Sequence, residues 1–75
     1  MVSESVWDAR VKGLLKAELA RRGVTYEQLA EKLQEIGVSE TPASIANKIS
    51  RGRFTAVFMI QCLDAVGCET VRITD

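Results

Sequence analysis

Ser44, Asn47, Lys48 and Arg51 fall within two helical turns of one another, and Arg53 follows two residues later. A hydroxyl, an amide, an ammonium and two guanidiniums are the groups that meet base edges and phosphates of duplex DNA. Ser44 and Asn47 are short enough to enter a groove without a large loss of side-chain entropy, Lys48 is near enough to join them, and Arg51 and Arg53 suit phosphate. Catalytic chemistry has far less to work with. The chain has no histidine, which removes the commonest general base and the commonest metal ligand. Cys62 and Cys68 supply half of a zinc site at most, and nothing nearby supplies the rest. They read as small apolar residues in a reducing compartment. No enzyme, metal site, cofactor or small-molecule ligand is expected.

The elements that must position these groups are punctuated by Gly and Thr. Trp7, Val11, Leu15 and Leu19 recur at intervals of four, with Leu14 beside them, so an amphipathic helix is predicted over about 5–22. Ser5 is its expected cap, Trp7 its core anchor and Gly23 its stop. Thr25 opens a second helix, about 25–36, with Gln28 at the reciprocal capping position and a Val24–Leu29 staple across the cap. Leu29, Ala30, Leu33 and Ile36 form its buried stripe, and Gly37 ends it. The third helix, about 41–51, has Thr41 as cap and the only proline, Pro42, at its first position. Pro42, Ile45, Ala46 and Ile49 share its inward side, and Gly52 closes it. Thr55 caps a fourth helix, about 55–66, that is apolar around most of its circumference. The tail changes period. Val71 and Ile73 alternate with Thr70, Arg72 and Thr74, which predicts a strand over about 70–74 with no partner in the same chain. It either packs as an extended tail or pairs with a second copy.

The chain of 75 residues is one domain, and 47% hydrophobic residues suffice for a core. No apolar run approaches the roughly 20 residues of a membrane helix, and the first residues lack the pattern of a secretory signal. A soluble, cytoplasmic module is expected. Its ten basic and ten acidic residues cancel, yet they are not mixed. Lys48, Arg51 and Arg53 stand in a stretch without an acid, whereas Glu27, Glu31, Glu35 and Glu40 dominate the segment before it. Glu27, Glu31 and Glu35, spaced by four, form a ridge along the second helix. Glu18, near the middle of the first helix's apolar side, needs a base and is expected to pair with Arg22 one turn on, or with a base from another helix.

The run Gly23-Val-Thr-Tyr-Glu-Gln-Leu-Ala-Glu-Lys-Leu33, then Gly37-Val-Ser39, then Ile49-Ser-Arg-Gly-Arg53 resembles the phage-repressor (Cro-like, XRE) helix-turn-helix family. Compared with that family, the second helix is about one turn longer and the turn after Gly37 is extended. The stretch from Lys12 to Tyr26 and beyond also looks like a group of small bacterial proteins of unassigned function. The repressor resemblance implies an all-α fold of four to five helices in a helix-turn-helix arrangement. It implies a transcription regulator that binds double-stranded DNA with the helix starting at Thr41 in the major groove. Ser44, Asn47 and Lys48 would approach bases; Arg51 and Arg53 would hold phosphates; Thr25, Tyr26 and Gln28 would lie against the backbone. A homodimer is expected, with Phe58, Met59, Leu63, Val71 and Ile73 as its interface. The alternative is a protein-interaction module on the same scaffold, which the zero net charge and the glutamate ridge favour. The regulator reading requires that the hydroxyl, amide and guanidinium of the third helix project outward, neither buried nor covered by carboxylates.

Overall fold

The structure, a computed structural model, describes residues 4–73. Four helices account for its regular structure: α1 (Glu4–Arg21), α2 (Tyr26–Glu35), α3 (Pro42–Arg51) and α4 (Ala56–Ala65). The expected all-α domain is therefore present, with four helices. No fifth helix and no strand occur among the described residues.

Local chemistry explains where the helices begin. Thr25 caps α2 in a reciprocal box: the Gln28 amide donates to Thr25 Oγ1 at 3.1 Å, and the Thr25 amide donates to Gln28 Oε1 at 2.9 Å. Thr41 does the same for α3 with Ser44, across 3.1 and 3.0 Å, with Pro42 at the first turn. The Phe58 amide donates to Thr55 Oγ1 at 3.0 Å to start α4. Ser5 is not a cap, because it already lies inside α1. After each helix the chain turns through a glycine of positive φ. Gly52 does more than turn: a β-carbon there would sit 2.5 Å from the Asp8 carbonyl oxygen. Only a residue without a side chain lets the end of α3 approach the first turns of α1 so closely.

Both α3 and α4 pack against α1 and α2. The shared core consists of Leu15 and Leu19 from α1, Leu29 and Leu33 from α2, Ile45 and Ile49 from α3, and Phe58, Cys62 and Leu63 from α4. Ala46 is half-buried, while Pro42 is exposed and belongs to the cap rather than the inward stripe. Trp7 is not a core anchor, since it is 51% exposed. Projected at about 100° per residue, Trp7 falls at the margin of the stripe centred on Leu15 and Leu19. There its ring stacks under the Arg10 guanidinium, 4.8 Å from the ring centroid, and lines a small groove with Met59 of α4 and Ile73 of the tail.

The tail after Gly67 is held without a ladder. Val71 packs on the core, and Arg10 donates to the Ile73 carbonyl at 3.2 Å. The strand expected over 70–74 does not form among the described residues, and Thr74 lies outside them. A lone extended segment has no neighbouring backbone with which to exchange bonds; of its alternating apolar residues Val71 packs inward and Ile73 stays exposed.

Candidate functional site

Ile45 and Ile49 anchor α3 in the core, so the opposite side of the helix carries Ala43, Asn47, Ser50 and Arg51, all exposed. Asn47 and Arg51 are one turn apart, with Ala43 a turn before them. Neither the Asn47 amide nor the Arg51 guanidinium has a side-chain partner among the described residues. The amide and guanidinium thus project outward as the regulator reading requires. The hydroxyl does not. Ser44 Oγ accepts from the Thr41 amide and lies 2.6 Å from Glu40 Oε1 and 2.9 Å from the Thr41 carbonyl oxygen, its possible acceptors.

Glu40 also holds Lys48, whose ammonium bonds Glu40 Oε2 and sits 4.8 Å from the centroid of the Phe58 ring. Burial raises the energy of the Glu40 carboxylate, but the bonds from Lys48 and Ser44 outweigh it and hold its pKa below the ordinary value. Lys48 is therefore a neutralised cation that braces α3 against Glu40 and α4. Sequence reasoning passed over Glu40 as a partner. The signal was its spacing of four from Ser44 and eight from Lys48, which continues one helical face backwards past the cap.

Arg53 reaches across to α1, its Nε 2.8 Å from Asp8 Oδ2. Lys12 Nζ donates to the Ser50 carbonyl at 3.3 Å, placing a cation at the last turn of α3, where free carbonyls favour it. The end of α3 is thus clamped to α1. Thr25 and Gln28 are exposed but bonded to each other in the α2 cap, and Tyr26 is half-buried against the core. Of the eight residues expected to contact DNA, Asn47 and Arg51 are those that are exposed with no side-chain hydrogen bond or ion pair among the described residues. Ser50, exposed beside them, was not singled out.

Elsewhere the expected charges divide. Glu18 is 5% exposed, and it pairs with Arg22 at 2.6 Å as its spacing suggested. It also meets Arg21 at 2.7 Å, while the Cys68 thiol donates to it at 3.6 Å. The bond from Arg22 does most to hold its pKa below the ordinary carboxylate value, against the opposing effect of burial. The ridge of Glu27, Glu31 and Glu35 is exposed on the side of α2 away from Leu29 and Leu33. Among the expected dimer-interface residues, Phe58 and Leu63 are corrected to core positions, because α1 and α2 already cover that side of α4. Met59 and Val71 are half-buried and Ile73 is 74% exposed. The apolar surface of α4 that does face outward is Val57 and Ile60, 65% and 63% exposed.

Burial pushes the Cys62 thiol up to about 12, so it stays protonated and unreactive at neutral pH. Among the described residues no three His, Cys, Asp or Glu side chains gather closely enough to hold a metal ion, and no helix is long and apolar enough to cross a membrane. No curated protein and no solved structure matches the chain. One family does, along residues 7–71, the span that contains all of α2, α3 and α4 and most of α1. The chain belongs to that family, described as Domain of unknown function (DUF6471).

Proposed function

We propose that this domain is a small duplex-DNA-binding module in which α2 and α3 act as a helix-turn-helix and the outer side of α3 enters the major groove. The supporting observation is the exposed row Ala43, Asn47 and Arg51 with Ser50 beside it, on a helix whose own charged residues are all cations. Small side chains at Ala43 and Ser50 let the helix backbone come near the base pairs. Asn47 has the donor–acceptor pair that reads adenine, and Arg51 suits a guanine edge or a phosphate. The clamp from Asp8 and Lys12 fixes the angle at which this row is presented.

One module of this size makes few contacts, so two copies on two half-sites complete the reading. Their contact would use the outward apolar surface of α1 and α4: Trp7, Val57, Met59 and Ile60, with Ile73 from the tail. Fluorescence anisotropy of a labelled mixed-sequence duplex at low salt tests the proposal. Binding should appear, weaken steeply as salt is raised, and be lost on Arg51→Ala.

A protein-interaction module is the second reading, and two observations favour it. Glu40 cancels the charge of Lys48, and Glu27 stands in the first turn of α2, where a phosphate would have to approach. Absence of any duplex binding at low salt would select this reading.

A further inference from the structure

The side of α1 that faces α3 is fixed by Asp8 and Lys12, which reach Arg53 and the Ser50 carbonyl. Arg10, Leu14, Ala17 and Arg21 project from the opposite side of the same helix. There the tail folds back, and a groove of about 520 Å³ opens between these residues and Thr70, Arg72 and Ile73. That volume lies within the range of small-ligand sites.

The charge in this groove is unbalanced. Arg10, Arg21 and Arg72 line it together with one carboxylate, Glu18. Both Glu18 oxygens are already taken, one by Arg21 at 2.7 Å and the other by Arg22 at 2.6 Å. Two of the lining guanidiniums are held in place: Arg10 by the Trp7 ring and the Ile73 carbonyl, Arg21 by Glu18. A guanidinium has five N–H donors, so each keeps most of its donors unspent. Arg72 is exposed and has no partner among the described residues. Leu14, Ala17 and Ile73 supply an apolar wall beside them.

We propose that this groove binds a small organic phosphomonoester. Three guanidiniums against one carboxylate leave two positive charges, which a phosphomonoester dianion balances and a single carboxylate does not. Planar guanidinium forks match phosphate oxygens in pairs, and the Leu14–Ala17–Ile73 wall takes the organic body. The site stands apart from α3 and does not depend on what α3 binds. It was not visible in the sequence, because Arg72 comes near Arg10 and Arg21 only when the tail folds onto α1.

Phenyl phosphate is the probe, titrated into the full chain at neutral pH and physiological salt by calorimetry and by amide chemical shifts. The expected result is saturable one-site binding, with shifts confined to residues 10–21 and 70–73. Arg72→Ala should weaken it about tenfold, the scale of one charge-assisted contact. That side chain is exposed, so its loss leaves the fold intact. Arg51→Ala should leave the affinity unchanged. Affinity should also fall as the pH drops below about 6, where the phosphate dianion takes up a proton. The proposal is overturned by an absence of saturable shifts at about 1 mM probe, or by Arg72→Ala binding as well as the parent. Equal weakening by Arg51→Ala would also overturn it, since that marks diffuse attraction to a basic surface.

Discussion

At Asn47 and Arg51 an amide and a guanidinium face solvent from adjacent turns of α3, while the neighbouring Lys48 is bound to Glu40. Substituting these residues should separate binding from stability. Asn47→Ala should weaken duplex binding by about 1–3 kcal/mol if the amide reads a base, with the unfolding midpoint in urea unchanged. Lys48→Ala should do the reverse. It leaves the mostly buried Glu40 carboxylate with Ser44 alone, lowering stability by about 1–2 kcal/mol and changing duplex affinity little. At Gly52 the demand is steric and conformational together: φ is +68° and the Asp8 carbonyl oxygen stands in the way of a β-carbon. Gly52→Ala should destabilise by about 2 kcal/mol or more, read by urea denaturation. It should also weaken whatever α3 binds, because the clamp on α1 must open.

The helices owe their boundaries to caps and glycines, and these were the most legible features of the sequence. Thr25 with Gln28, Thr41 with Pro42, Thr55, and the glycines at 23, 37, 52 and 67 all act where local chemistry places them. Thr41→Ala should therefore lower stability by about 1 kcal/mol, measured by thermal or urea unfolding. Glu18 was legible as well, because a carboxylate on an apolar stripe with Arg22 one turn later has one sensible use. Its pKa and that of Glu40 are both held below the ordinary 4.5. The folded state therefore binds these protons less readily than the unfolded chain does. The stability they contribute is present above about pH 4.5 and is lost as pH falls through their lowered values. Glu18→Gln should flatten the acid limb of a stability-versus-pH curve recorded by circular dichroism. Contacts between distant elements were illegible. Periodicity says that Phe58 and Leu63 are apolar, but α1 and α2 decide that they are core, and that Val57 and Ile60 are not. Likewise, residue type says that Arg53 is a cation, and only the approach of Asp8 from α1 shows that it is engaged.

Across the whole molecule, the polar row on α3 and the exposed apolar side chains of α1 and α4 differ in the chemistry they present. Trp7, Val57 and Ile60 are half or more exposed, and large apolar side chains mark a contact site where they adjoin on a surface. If two copies meet there, Ile60→Asp should give a monomer by light scattering and reduce duplex affinity without altering the helical content. The formal charge of zero makes long-range attraction to DNA weak, so the proposed binding would rest on the local cations and weaken as salt is raised. The most direct measurement is a fluorescence anisotropy titration of a labelled duplex at low and moderate salt with the parent chain, Arg51→Ala and Lys48→Ala. Binding that falls with salt, disappears in Arg51→Ala and survives in Lys48→Ala is the predicted result. No binding at low salt, or equal binding by parent and Arg51→Ala, would contradict the assignment of α3 as the DNA-reading helix.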